Sequence, residues 1–331
     1  MSSETKYSLK AKLLVLSLAV FITCLAAEQI YRYVLFGADS FSFSKMNSIR
    51  PMGSAGLVEP ADHPEIIYQL KPNLDTLFKL KPFKTNSRGL RDKEYPVTKP
   101  IGYSRICLVG DSYSMPAGVH IEDAYHSVLE DRLNSGNHPN GFEVINFAVG
   151  GYSLRQYLGV IRFKVDEYSP DMILVGFCPY NDHLPPDTAI YNQPYQVKPV
   201  ENAFFHSYLW NRLTSKGRLD SHLEFTPAQT DYMKRVFRNM GTYSRVQKTP
   251  IVVVLLSYDF DAGYSEQLGS IVRESGLEFL DLSSAFTGDN PRQYWIYPVD
   301  VHPNAEAHRI FADELYQFLV GKKTASQQAN H

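Results

Sequence analysis

The sequence predicts an α/β fold: a five-stranded parallel sheet with helices on both faces, preceded by a transmembrane helix and a small N-terminal accessory region. Three observations predict it. From Arg105 onward, short apolar runs alternate with amphipathic stretches, as strands and crossover helices do in a parallel sheet. Between residues 38 and 100, Ser, Gly and Pro clusters break up any clean periodicity. Ahead of both lies a basic flank followed by an uncharged apolar segment.

In that first segment Lys6, Lys10 and Lys12 precede an uncharged stretch from Leu13 to Ala27, and apolar character resumes from Ile30 to Phe36. Counted to Phe36, a helix would be about 36 Å long, enough for a hydrocarbon core of roughly 30 Å. Glu28 and Arg32 are then expected at the outer interface, where long side chains snorkel. We read residues 1–36 as a cytoplasmic stub and an uncleaved signal-anchor. The rival is a cleaved signal using the small residues near Cys24-Leu25-Ala26. The lysines mark the cytoplasmic side, which puts the rest of the chain outside.

Residues 37–100 read as a linker and accessory region. YQLKPNLDTLFKLKPF suggests short strands broken by Pro72 and Pro82, and KTNSRGLRDKEYP a turn around Arg88-Gly89. The main domain is expected over 101–322. Its strands are read at 105–109, 143–149, 171–177, 251–257 and 278–282. Its helices are read at 123–134, 154–168, 227–246, 265–275 and 304–320. Residues 183–226 interrupt the alternation and read as an insertion near the carboxyl ends of the strands, too long for a structureless connection. Residues 323–331 read as a disordered tail.

A formal net charge of −2 without a basic stripe gives no reason to expect nucleic acid. Tyrosine and phenylalanine are plentiful and are assigned to core packing before sugar binding. Cys24, Cys107 and Cys178 make no disulfide framework.

Candidate chemistry begins where the apolar run 106–109 stops at Gly110-Asp111-Ser112. A hydroxyl presented past the carboxyl end of a parallel strand is a candidate nucleophile if a base and an oxyanion site converge on it. Otherwise Ser112 or Ser114 is a helix cap. Of ten histidines, His302 is the useful one. It lies in a loop before the last helix, with Asp300 two residues upstream to hold the imidazole tautomer. A metal site on Asp300, His302 and His308 lacks further clustered ligands, so no metal or organic cofactor is expected. Gly150-Gly151 ends the second strand and could admit a substrate to a backbone N–H; Asn181, past the third, could donate a second bond. Helix-start and Asx turns are the bland readings of those two segments.

VGDSYSMPAGV, NFAVGGYS, the Asn-Asp of PYND and DVHPNAEAH, in that order, resemble the SGNH or GDSL-like hydrolases. The anchor with Glu28 and Arg32, and TNSRGLRDKEYP, also look like membrane-anchored bacterial members. The resemblance implies a flavodoxin-like three-layer α/β/α sandwich and serine-dependent ester chemistry. It assigns Ser112 as nucleophile, His302 as base and Asp300 as its orienter, with Ser112 N–H, Gly151 and Asn181 as oxyanion donors. Pro179 stands where the family often has glycine, and Ala307 where glycine is usual. Asp300 lies two residues before the histidine rather than three, so a dyad stays open beside the triad. The chemistry implied is acyl transfer through an acyl-serine, to water in an esterase or to a sugar hydroxyl in an O-acyltransferase. The expected substrate is an acylated small molecule or envelope glycan, met outside a bacterial inner membrane, with a membrane acyl-donor protein as partner of a transferase. The alternatives are a catalytically inactive envelope protein that binds glycan or a partner, and an anion-binding loop at 110–118.

Overall fold

A computed structural model describes residues 8–53, 55–135, 141–184, 206–214, 224–258, 262–286 and 290–328. Helix α1 (Leu9–Phe36) is capped by the Ser8 hydroxyl, exposed along its apolar length, and long and apolar enough to cross a membrane. Its last turns are packed. Phe36 stacks edge-on against Tyr208 and Tyr297, with ring centroids at 5.1 and 5.4 Å. Glu28 and Arg32, expected to snorkel, instead pair with each other at 2.8 Å, and Glu28 also accepts the N–H groups of Tyr208 and Leu209. These bonds satisfy donors at the start of helix Tyr208–Thr214 that would otherwise lack intrahelical partners.

Next come the short helix α2 (Phe43–Asn47) and two antiparallel hairpins, β1 (Val58–Pro60) with β2 (Tyr68–Leu70) and β3 (Asp75–Phe78) with β4 (Lys81–Lys84). Pro82, expected to break a strand, lies within β4 opposite Leu77; a two-stranded ribbon tolerates a missing N–H on its open side.

The main sheet comprises β5 (Ser104–Gly110), β6 (Phe142–Asn146), β7 (Met172–Phe177), β8 (Ile251–Leu255) and β9 (Glu278–Asp281). All pairings are parallel, in the order β6-β5-β7-β8-β9. Successive residues of each strand feed opposite cores. Cys107, Val109, Ile173 and Val175 join one with α4 (Leu154–Val160), α6 (Pro227–Gln247) and α7 (Ala262–Glu274). Ile106, Leu108, Leu174 and Val252 join the other with α3 (Tyr125–Asn134) and α8 (Ala305–Gln328). The result is the three-layer sandwich. The accessory hairpins extend its first core through Met52, Leu57, Tyr68, Phe78 and Phe83.

Differences from the sequence reading have local causes. The strand expected to reach 149 ends at Asn146, whose side-chain oxygen accepts the Ala148 N–H at 2.9 Å and turns the chain. Beyond α4 the helix continues as a wide π turn (Ile161–Val165) and a 3₁₀ turn (Asp166–Tyr168), ending on Ser169 at φ +50°. The loop expected around His302 is an antiparallel hairpin, β10 (Trp295–Tyr297) with β11 (Asp300–Pro303), its two prolines falling in the connection and at the strand end. Asn304 caps α8 by accepting the Ala307 N–H at 3.0 Å, and α8 runs to Gln328, into the segment read as a tail. Of the insertion 183–226, residues 185–205 and 215–223 lie outside the described residues; helix α5 (Tyr208–Thr214) lies between them.

Candidate active site

The sheet order reverses between β5 and β7, and in open α/β sheets the crevice at that point is where ligands bind. Ser112 follows β5 there. The tight turn before it depends on glycine: a Cβ on Gly110 or on Gly176 of β7 would come within 2.3 Å of the Ser114 hydroxyl oxygen. Ser114 is therefore wedged between the strands, bonded to the Tyr125 hydroxyl at 2.8 Å. It is a structural hydroxyl. Ser112 lines the cleft.

The Ser112 Oγ lies 2.8 Å from His302 Nε2. On the other side of the ring, His302 Nδ1 lies 2.5 Å from Asp300 Oδ1. With the Nδ1 proton directed at the carboxylate, Nε2 is left to accept the serine proton. The Asp300 side chain is 17% exposed; burial works to raise its pKa, and the contacts with His302 and Lys79 outweigh burial and hold it well below the usual carboxylate range. The Tyr113 and Tyr258 hydroxyls both donate to the Val301 carbonyl, which pins β11 to the sheet edge between the two residues that matter. Beneath Ser112, the fully buried Asp111 accepts the Tyr113 N–H at 2.9 Å, and burial pushes its pKa up.

Gly151 lines the same cleft at φ +77°, a conformation L side chains rarely adopt, and a Cβ there would sit 3.0 Å from the Tyr68 hydroxyl. Among the described residues, no partner accepts from the N–H of Ser112 or of Gly151. Asn181 stands past β7, its amide nitrogen donating to the Tyr152 carbonyl at 3.3 Å and its buried oxygen without a partner. The structure thus brings Ser112, His302, Asp300 and Gly151 together. Asn181 sits beside Tyr152, next to Gly151 in the chain, and its amide also helps hold the Asp111 carboxyl down.

The cleft has a volume of about 380 Å³, and its apolar wall is Ile49, Met52, Phe78, Met115 and Ala117. Three of these come from the accessory region, as do two side chains in contact with the site that the sequence does not single out. Lys79, at the tip of β3–β4, contacts the Asp300 carboxylate directly and lies 3.2 Å from His302 Nδ1. Arg91, 2% exposed, donates from Nη1 and Nη2 to the carbonyls of Met115, Pro116 and Val119, in the segment following Ser112. A lysine between two apolar residues and an arginine in a turn-rich segment carry no local signal of either contact. A larger concavity of about 550 Å³ around Asp92 and Glu130 contains none of the Ser112, Asp300 and His302 side chains, whereas Ser112 and His302 line the smaller cleft. Among the described residues, no cluster of three or more His, Cys, Asp or Glu side chains could hold a metal ion.

A profile of the GDSL-like lipase/acylhydrolase family matches residues 108–310. No curated protein matches the sequence. Similar solved structures include an acetylxylan esterase from Geobacillus stearothermophilus, at 15% identity over 65% of this chain and 93% of that one, with a TM-score of 0.41. Another is a psychrotrophic esterase from Pseudoalteromonas sp., at 14% identity over 67% and 99%, with a TM-score of 0.40.

Proposed function

The chain belongs to the GDSL-like lipase/acylhydrolase family and is a hydrolase of ester bonds, and from that premise we propose that it works through an acyl-serine on Ser112. The observation that carries the reading is the unbroken contact series from the Ser112 hydroxyl through both nitrogens of His302 to Asp300. His302 takes the serine proton as Oγ attacks the ester carbonyl, and returns it to the leaving alcohol. Asp300 fixes the tautomer and stabilises the imidazolium, a triad rather than a dyad. The free N–H groups of Ser112 and Gly151 and the Asn181 amide meet the developing oxyanion. A second round, with water activated by His302, releases the acid.

The apolar wall of Met52, Phe78, Met115 and Ala117 suits the acyl group, and the open mouth beside Arg50 and Lys79 suits a polar alcohol portion. An acylated envelope glycan is the substrate class we assign. Helix α1 anchors the enzyme in the bacterial inner membrane with the sheet domain on the extracytoplasmic side, a reading supported by its apolar exposure and the lysines at its start. A sugar hydroxyl taking the place of water in the second half-reaction would make the same site an O-acyltransferase, drawing on a membrane acyl donor.

The test is intact-mass analysis of the full chain in detergent after exposure to a fluorophosphonate, beside Ser112→Ala. One adduct on the parent and none on the variant is expected. A folded parent that takes no adduct would refute the nucleophile and favour a protein that binds acylated ligands without turning them over.

A further inference from the structure

The tip of the β3–β4 hairpin is built at positions where glycine or asparagine is the usual choice. Lys79 and Leu80 occupy its two central positions with φ of +47° and +66°, the left-handed pair that a tight two-residue hairpin requires. Non-glycine residues hold such angles only where their surroundings over-determine them. Here they do. The Lys79 N–H donates to the Ser48 carbonyl at 3.0 Å, and the Leu80 N–H to the Ser48 hydroxyl at 2.9 Å. The Tyr297 hydroxyl donates to the Lys79 carbonyl at 3.0 Å, and the Leu80 side chain is buried with Leu35, Phe36 and Met46. Backbone and neighbour are thus fixed from three sides, and what the fixing delivers is one ammonium group against the outer face of the Asp300–His302 pair.

Resting on the triad assigned above, we propose that Lys79 is a positioning residue of the catalytic pair: it locks the Asp300 carboxylate in line with His302 and sets the charge balance around the imidazole. The geometry divides the carboxylate between two partners, Oδ1 to the imidazole and Oδ2 to the ammonium. Neither oxygen is left to rotate. An ammonium 3.2 Å from Nδ1 opposes a second proton on the ring, and a neutral ring is the state able to take the proton of Ser112. The ammonium balances the charge of the carboxylate while leaving it ionised to receive the imidazolium formed during reaction.

Other groups around the pair are accounted for. Asp111 lies below, close enough to His302 that the imidazole helps hold its carboxyl down. The Tyr113 ring packs at 5.7 Å from the imidazole, and the Tyr208 and Tyr297 phenols face Asp300. His308, buried behind, is held neutral, and Arg50 stands across the cleft mouth. Among the described residues, Lys79 is the cation in contact with both members of the pair.

The experiment is the pH dependence of fluorophosphonate labelling at Ser112 in the full chain, for the parent, Lys79→Met, Lys79→Gln and Lys79→Arg, with melting curves to establish folding. Removing the charge should raise the midpoint of the labelling rate by about one pH unit in both neutral variants, with roughly tenfold slower labelling near neutrality. Lys79→Arg should restore the parent midpoint. In an Asp300→Asn background, Lys79→Met should shift the midpoint by much less, because the partner carboxylate is gone. Slower labelling at every pH with an unmoved midpoint would mean a merely structural lysine and overturn the proposal, as would a lowered midpoint. A parent that takes no label at any pH removes the triad itself and the inference with it, whereas a labelled parent with an unmoved midpoint in the variants removes the lysine's role alone.

Discussion

Replacing Arg91 by methionine should loosen the segment that carries Ser112 and destabilise the whole domain. The guanidinium is buried and reaches the carbonyl oxygens of Met115 at 2.8 Å, Val119 at 2.7 Å and Pro82 at 3.3 Å, besides Pro116, while lying over the Phe83 ring at 4.7 Å. Methionine keeps most of the contact with Phe83 and loses every donor. Hydrogen bonds from a charged donor contribute about 1.5–3 kcal/mol each, and carbonyls stranded in a buried site cost roughly 1–3 kcal/mol each. Against this stands the desolvation of the guanidinium itself, several kcal/mol, which the variant no longer bears. The balance is a loss of about 4 kcal/mol, or roughly 8–16 °C in melting temperature for a domain of this size. The catalytic effect is separate: a displacement of Ser112 by about 1 Å relative to His302 is enough to lower the rate roughly a hundredfold. Thermal unfolding and the fluorophosphonate labelling rate, read on the same preparations, test both. Arg91→Lys should recover little, since one ammonium cannot span carbonyls on Met115, Pro116 and Val119. A methionine variant that melts within about 2 °C of the parent and labels at the parent rate would refute the clamp.

Three further outcomes follow from the geometry. Gly151→Ala meets both the left-handed φ and the Tyr68 hydroxyl, so it should lose about 1–2 kcal/mol of stability in denaturant titration and most of its labelling rate; full activity would show that the turn relaxes without harm. Asn181→Ala should slow labelling about a hundred- to a thousandfold with melting close to the parent's, and unchanged kinetics would remove Asn181 from the oxyanion site. His308 has its pKa lowered to about 3, by burial first and by the neighbouring charges of His126, Arg91 and His302 after it. Below about pH 6.5 the unfolded chain gains a proton that the folded chain refuses, so folded-state stability is lost as pH falls, by about 1.4 kcal/mol per pH unit. His308→Leu should therefore gain on the parent by that slope between about pH 6 and 4 in denaturant titrations, and a pH-independent difference between the two would count against a neutral buried imidazole.

The sheet was legible because its signal is local. Runs such as Ile251–Leu255 are buried on both faces and have to be apolar throughout, and the amphipathic period of α6 is read within the helix itself. The sequence singles out Ser112, Gly151 and Asn181 because each stands past the end of a strand, and the Asp300–His302 pair because it precedes the last helix; the structure brings Ser112, Gly151, Asp300 and His302 together and sets Asn181 beside Tyr152. The β10–β11 hairpin was hidden by its shortness and its prolines, so His302 was assigned to a loop although it lies on a strand. Lys79 and Arg91 were illegible for a different reason. A turn with Lys79 and Leu80 at positive φ carries none of the Asn-Gly chemistry that marks such turns, because Ser48 and Tyr297 hold it from outside. Arg91 stands in a turn-rich segment, and the Nη1 and Nη2 contacts that hold the nucleophile segment reach carbonyls 24 to 28 residues away, beyond any local sequence pattern.

These two residues contact the Asp300–His302 pair and the segment following Ser112 from outside the span of the family profile. The family profile covers residues 108–310 and so contains Ser112, Asp300 and His302. It leaves out the lysine on the carboxylate, the arginine behind the nucleophile segment, the tyrosine whose hydroxyl donates to the Gly150 carbonyl at 3.0 Å, and the Met52 and Phe78 wall of the cleft. Met52, Tyr68 and Phe78 share one apolar core with the sheet. Burying that surface is therefore coupled to organising the site, and the accessory hairpins cannot vary freely as a surface loop can. A change at the tip of the β3–β4 hairpin alters the charge beside the Asp300–His302 pair without touching the pair itself.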